Sequence, residues 1–169
     1  MRMFCLVLIL LVAVVMDLKS YKIKNALILA GMMLGLYFQY TEYGRMGILY
    51  AAAGIGLPIL CLWILFCIRA MGAGDVKLLS MTGCYIGPVK IAPCMLYTMI
   101  IGGVMALCLM IWHGNIRKRF QYLFSYILKA FRTGKCESYY EETDDKKEFA
   151  MHFSIAVLIS VILHWEGLY

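Results

Sequence analysis

Residues 46–68 of the chain read MGILYAAAGIGLPILCLWILFCI, and these 23 residues carry no charge. An α-helix rises about 1.5 Å per residue, so about 20 residues cross the roughly 30 Å hydrocarbon core of a bilayer. The rest of the chain is similar, since 63% of its 169 residues are hydrophobic and 15% are charged. A soluble domain is about half apolar and about a quarter charged. The sequence therefore predicts an all-α integral membrane protein.

Five further apolar segments accompany this stretch. The six segments occupy residues 3–17, 25–40, 46–68, 76–89, 92–112 and 149–165. The fourth has only twelve residues between Lys77 and Lys90, so we expect a short helix there, sheltered by its neighbours. We predict a single membrane domain, residues 1–169, with about six transmembrane helices.

The distribution of Lys and Arg sets the expected orientation. If the chain crosses the membrane at every segment and the loop after the first is cytoplasmic, thirteen Lys and Arg residues lie on the cytoplasmic side. The other side receives three, Arg2, Arg45 and Lys90. Cytoplasmic loops of membrane proteins carry such an excess of basic residues. The net charge of +6 is thereby explained by the lipid bilayer as partner, and no nucleic acid is expected.

The one long polar stretch, residues 113–148, falls on the cytoplasmic side in this topology. Its first half repeats apolar residues at spacings of three and four, which predicts an amphipathic helix in the membrane interface. Its second half, from Thr133 to Glu148, is rich in charge and predicts a solvated loop. This loop is also a candidate docking segment for proteins of a pilus or secretion assembly.

Metal ligands of the usual spacing are absent from the sequence. No two of the seven cysteines form a C-x-x-C pair, so we expect no metal and no other cofactor. The three histidines, His113, His152 and His164, are interpreted as interfacial anchors rather than ligands.

Two of the ten acidic residues border apolar segments. Asp17 ends the first segment and Asp75 precedes the fourth, whereas the other eight lie in polar loops or beyond the last segment. In the alternating topology both reach the cytoplasmic face. An Asp inside a transmembrane helix costs about 2.5–3.5 kcal/mol on insertion scales, less near the ends. Acids so placed therefore indicate a function.

Two neighbouring carboxyl groups do not ionise together easily, so one keeps its proton. The ionised one can take a proton from water while the protonated one polarises a peptide carbonyl. Other interpretations stay open. Asp75 can cap the fourth helix. Both acids can serve proton or cation transport, although they lie at one face, or the chain can be a non-catalytic assembly subunit.

The run Gly72-Ala73-Gly74-Asp75 places two glycines before the second acid. Glycine permits unusual backbone angles and the close approach of another chain. Together with Val76-Lys77-Leu78, this run resembles the second active-site motif of prepilin peptidases, a family of GxGD membrane aspartyl proteases. The stretch Asp17-Leu-Lys-Ser-Tyr-Lys-Ile-Lys-Asn25 resembles the first motif of that family, although Lys24 stands where the family often has Pro.

The resemblance implies an aspartic endopeptidase of the bacterial inner membrane. Such enzymes remove the basic leader from prepilins and pseudopilins, the subunits of type IV pili and secretion systems, at the cytoplasmic face. Asp17 and Asp75 would be the catalytic pair, Gly72 and Gly74 would shape the site, and Lys77 and Asn25 are motif companions. The chain resembles the short members found in tight-adherence pilus systems, which implies proteolysis without methylation of the new amino terminus.

Overall fold

A computed structural model describes residues 1–67, 71–112 and 152–167, and every regular element in these ranges is an α-helix. In chain order they are α1 (Arg2–Ser20), α2 (Asn25–Tyr43), α3 (Arg45–Cys67), α4 (Ala73–Ile86), α5 (Pro88–Trp112) and α6 (Phe153–Trp165). The helices coincide with the six apolar segments to within a turn at either end. The prediction of an all-helical chain is confirmed for the described residues.

The chain divides into two units. The first comprises Met1–Gly102 and His152–Tyr169 and contains α1 to α4, most of α5, and α6. The second, Gly103–Met151, contains only the end of α5 within the described ranges. The amphipathic helix and loop predicted for residues 113–148 lie outside the described residues.

Positive φ angles follow the ends of α1, α2, α4 and α6, and those after α1 and α2 shape the turns there. α1 ends at Tyr21, with φ 53° and ψ 21°, and the Tyr21 N–H donates to the Asp17 carbonyl oxygen at 2.8 Å. α2 ends at Gly44, with φ 59° and ψ −140°, and α3 begins at the next residue. L side chains rarely adopt the conformation of Gly44, so glycine permits a single residue to connect α2 to α3.

Polar contacts at the two ends of the helices show that the chain alternates in direction. Arg2, at the start of α1, forms an ion pair with Glu42 near the end of α2. At the other end, the Lys77 ammonium donates to the Asn25 side-chain oxygen at 3.0 Å, which joins the starts of α2 and α4. The start of α6 also lies there, because His152 is close to Asp17.

α4 is short and buried along most of its length. It has 14 residues, and all nine from Leu78 to Ile86 are buried. Its neighbours are α2 and α3, with further contacts to α1 and α6. Because surrounding helices cover it, α4 does not need the length of a lipid-exposed span. The prediction of a short, sheltered fourth helix is confirmed.

Glycines allow α4 to approach its neighbours closely. A Cβ atom added at Gly54 of α3 would collide with the Gly83 backbone oxygen of α4, and one added at Gly83 would collide with the Gly54 backbone oxygen. A Cβ at Gly35 of α2 would lie 2.9 Å from the ring of Tyr85. Small residues at helix crossings are a common means of packing in membranes, where van der Waals contact drives helix association.

A buried amide satisfies the far end of α4. Gln39 of α2 is fully buried, and its side-chain nitrogen donates to the carbonyl oxygens of Cys84 and Tyr85, at 3.3 and 3.0 Å. The last carbonyl groups of a helix have no partner within the helix. Gln39 therefore supplies hydrogen bonds that α4 lacks and attaches α2 to its end.

Three of the described helices are long and apolar enough to cross a membrane: α1, α3 and residues Pro88–Leu109 of α5. α3 exposes large apolar side chains, among them Leu60 and Ile64 at 78% and 69%. This exposure suits contact with lipid tails. α4 and α6, with 14 and 13 residues, fall short of the usual span. The topology of six spans stays a prediction.

We expect Gly54→Ala to destabilise the protein by about 1–3 kcal/mol, because the new methyl group meets backbone atoms of α4 that cannot turn aside. Gly56→Ala is the matched control, since a Cβ there meets nothing within 4 Å on the same helix. It should leave stability unchanged or raise it slightly. Thermal unfolding of both purified variants in detergent measures the difference. Equal losses would contradict the close crossing of α3 and α4.

Candidate active site

The first candidate acid, Asp17, lies in the last turn of α1. Its side chain is 15% exposed. The turn that follows is fixed by the Tyr21 N–H, which donates to the Asp17 carbonyl oxygen. The carboxyl group is therefore held on a defined helix end, largely shielded yet still open to water.

The second candidate acid, Asp75, lies in the first turn of α4. The residue at the N-cap of this helix is Gly72, and the Asp75 N–H donates to the Gly72 carbonyl oxygen at 3.2 Å. Asp75 is three residues after the cap, so it is not the capping residue that one interpretation of the sequence allowed. Its carboxyl group instead makes a hydrogen bond with the Gly72 backbone, as an acid at this position does in a capping box.

The structure brings the two acids into electrostatic contact at the same end of the helices. Asp75 lies before the apolar segment of α4, outside the residues expected to cross the membrane. Burial, and then the negative charge of Asp17, raise the pKa of Asp75 from 3.8 to about 6, while the hydrogen bond with Gly72 opposes both. Desolvation and a like charge both disfavour ionisation. A carboxyl group that resists ionisation therefore lies within electrostatic range of a second one.

The two motif companions also meet. The Lys77 ammonium donates to the Asn25 side-chain oxygen at 3.0 Å. Asn25 is the first residue of α2, and Lys77 lies two residues after Asp75 in α4. This hydrogen bond links the chain that follows the first acid to the helix that carries the second.

The two glycines of the motif have ordinary backbone angles. Gly72 has φ −74° and ψ 148°, an extended conformation open to any residue, and Gly74 is a helical residue without positive φ. What distinguishes them is space. A Cβ at Gly72 would lie 3.3 Å from the Asp75 Oδ2 atom, and a Cβ at Gly74 would meet nothing within 4 Å. The surface beside Asp75 is therefore open at Gly74.

The family of the chain follows from a comparison with known proteins. The model of the type IV leader peptidase family matches residues 4–107. That match covers more than half of the chain. The chain belongs to the type IV leader peptidase family. No curated protein and no solved structure matches it.

The match to the leader peptidases includes all six residues singled out from the two motifs: Asp17, Asn25, Gly72, Gly74, Asp75 and Lys77. Membership and the apolar helices together identify a membrane-embedded peptidase. Within the described ranges, no three His, Cys, Asp or Glu side chains are grouped so that they could hold a metal ion.

Two further residues beside the acids lie beyond the matched region of this leader peptidase, at the start of α6. The Ser154 hydroxyl donates to Asp17 Oδ2 at 2.6 Å, and His152 Nδ1 lies 3.6 Å from the same oxygen. From the sequence alone, His152 is interpreted as an interfacial anchor, and Ser154 has no assigned role. The available signal was a His-x-Ser pair opening an apolar helix at the membrane face expected for both acids.

We expect the stability of this leader peptidase to fall as the pH rises from about 4 to about 7. The folded state holds the Asp75 proton more tightly than the unfolded chain, so deprotonation through a pKa of about 6 removes stability. The shift from 3.8 to about 6 corresponds to about 3 kcal/mol.

Asp75→Asn keeps a neutral group of the same size at every pH. It should therefore be more stable than the wild type at pH 7, by up to about 3 kcal/mol, and should converge with it near pH 4. Thermal unfolding across this range tests the difference, with Glu166→Gln at the exposed end of α6 as control. A constant difference between wild type and Asp75→Asn at all pH values would contradict the raised pKa.

Proposed function

We propose that the chain is an aspartic endopeptidase that removes the basic leader of prepilins or pseudopilins, with Asp17 and Asp75 as its catalytic pair. The observation that carries the proposal is the electrostatic contact of these two carboxyl groups at one end of the helices. Membership of the type IV leader peptidase family supports the substrate class. Gly72 and Gly74 border the site, and Lys77 and Asn25 hold its two motifs together.

The chemistry follows from the raised pKa of Asp75 beside a second acid. In the reactive state one carboxyl group is ionised and accepts a proton from water, and the other, in its protonated form, donates a hydrogen bond to the scissile carbonyl oxygen. Water then attacks the carbonyl carbon directly, without a covalent intermediate. The pair acts as a unit, because each group alters the ionisation of the other.

The place of the site suits a substrate whose leader is basic and whose next segment is an apolar helix. Asp17 and Asp75 lie at the ends of apolar helices, so a peptide entering from the membrane surface reaches them without crossing the bilayer. The open surface at Gly74 leaves room for an extended substrate backbone beside Asp75. The negative charge of the pair attracts the positive leader.

The proposed orientation places this end of the helices in the cytoplasm of a bacterium, with six spans in the inner membrane. Alternating helix directions, seen in the contacts of Arg2 with Glu42 and of Lys77 with Asn25, support it. The acids lie at the end expected to carry most of the Lys and Arg residues, which is the cytoplasmic end by the positive-inside rule. The proposal concerns the proteolytic step alone.

We expect Asp17→Asn and Asp75→Asn each to lower cleavage of a co-expressed prepilin by at least about a thousandfold, because Asn keeps the size of the side chain and cannot transfer the proton. The conversion of prepilin to the shorter form in isolated membranes measures the rate. Each variant must accumulate in the membrane at the level of the wild type.

Glu42→Gln is the control for loss of an acid, because Glu42 pairs with Arg2 at the opposite end of the helices. It should cleave at the rate of the wild type. Normal cleavage by either Asn variant would refute the catalytic pair. If the wild type cleaves no prepilin but moves protons across liposome membranes, the transport alternative replaces the peptidase.

A further inference from the structure

The start of α6 directs two polar side chains at one oxygen of Asp17. Ser154 Oγ donates to Asp17 Oδ2 at 2.6 Å, and His152 Nδ1 lies 3.6 Å from the same atom. These residues are far from Asp17 in the chain and lie outside the region that matches the leader peptidase family. Their approach to Asp17 is a product of tertiary packing between α1 and α6.

Ser154 is fully buried, so its hydroxyl requires a hydrogen-bond partner inside the protein. Ser160, also buried on α6, satisfies this need with the backbone oxygen of Cys94, at 2.9 Å. Ser154 instead uses the carboxyl group of Asp17. A hydrogen bond from a neutral donor to a carboxylate favours the ionised form.

His152 is held in place by an aromatic contact. Its ring stacks on Tyr21, with 5.0 Å between the ring centroids and 23° between the planes. Tyr21 is itself fixed as the residue that ends α1, through its N–H bond to the Asp17 carbonyl oxygen. His152 Nδ1 is buried and has no hydrogen bond within the described part of the chain. When Nδ1 carries the ring proton, it can donate toward Asp17 Oδ2, which lies 3.6 Å away.

The surroundings of the two acids differ accordingly. Asp17 faces two potential donors on α6, whereas the partner identified for the Asp75 carboxyl is the Gly72 backbone. We infer that Ser154 and His152 are positioning residues that keep Asp17 ionised, so that Asp17 is the base for water and Asp75 is the acid. The inference rests on the proposed peptidase function. Burial raises the pKa of Asp75, which also favours Asp75 as the acid of the pair.

This assignment balances each proton. Asp17 takes a proton from the attacking water, and Asp75 gives its proton to the carbonyl oxygen, which forms a neutral tetrahedral diol. As the C–N bond breaks, the leaving amine takes the proton from Asp17, and one hydroxyl of the diol returns a proton to Asp75. The cycle ends with Asp17 ionised and Asp75 protonated, as it began.

Infrared titration of the carboxyl groups tests the assignment without a substrate. In Asp75→Asn, Asp17 is the remaining acid of the pair, and the carbonyl band of its protonated form reports its titration. When Ser154→Ala is added, the midpoint pH of this titration should rise by about one unit, because the carboxylate loses a donor. Ser154→Thr, which keeps the hydroxyl, should restore the original midpoint. An unmoved midpoint in Ser154→Ala would overturn the role of Ser154.

Two matched controls separate positioning from general damage to α6. Ser160→Ala removes a buried hydroxyl from the same helix and should leave the Asp17 titration unchanged. His152→Phe keeps a ring to stack on Tyr21 but removes Nδ1, whereas His152→Asn supplies an amide nitrogen near that position. The Phe variant should raise the midpoint and the Asn variant should raise it less. If the Asp17 midpoint is the same with His152 intact, with His152→Phe and with His152→Asn, His152 has no role in the assignment.

The pH dependence of prepilin cleavage gives the second readout. Among the described residues, the titratable groups near Asp17 include Asp75 on α4 and His152 at the start of α6, with Tyr21 directly after its own helix. Ser154→Ala should shift the acidic limb of kcat to higher pH by about one unit, with KM unchanged. If the wild type cleaves prepilin and Ser154→Ala shifts neither the acidic limb of kcat nor the midpoint of the carbonyl band, the inference fails and the proposed function stands. If the band moves but no prepilin is cut, the proposed function fails and the location of the proton stands.

Discussion

The close packing of α4 between α2 and α3 is the constraint on which the arrangement of the site depends. Gly54 and Gly83 bring the backbones of α3 and α4 together, and Gly35 receives the ring of Tyr85. Gln39 then completes the hydrogen bonds at one end of α4, while Lys77 and Asn25 connect its other end to α2. Asp75 lies in the first turn of this fixed helix, so its carboxyl group is placed by helix packing rather than by a loop.

Two opposing pairs of effects act on the ionisation of Asp75. The amino end of a helix favours a negative charge by about 0.3–1 kcal/mol at exposed sites, and the Gly72 backbone adds a hydrogen bond in the same direction. Burial and the neighbouring Asp17 act against them and raise the pKa to about 6, which corresponds to about 3 kcal/mol. The second pair of effects is larger. A carboxyl group that would be ionised in water at pH 5 thus retains its proton up to a pH of about 6.

The sequence predicts the helices better than it predicts the site. Long uncharged runs such as residues 46–68 identify helices because apolar composition and length act locally, and the short α4 was evident from the charges of Lys77 and Lys90. Asp17 and Asp75 stood out because acids are rare beside apolar segments. A Gly-x-Gly pattern does not distinguish a need for positive φ from a need for space, and neither Gly72 nor Gly74 has positive φ. Ser154 was missed because a serine on an apolar helix has no periodic signal that points to α1.

The dependence of Asp17 on α6 has a consequence for biogenesis. Asp17 and Ser154 are 137 residues apart in the chain, and α6 is the last described helix to leave the ribosome. During synthesis the first acid therefore enters the membrane long before Ser154 and His152 exist. The electrostatic environment of Asp17 is complete only when α6 has inserted and packed on α1, so a partly synthesised chain carries the acids without their final setting.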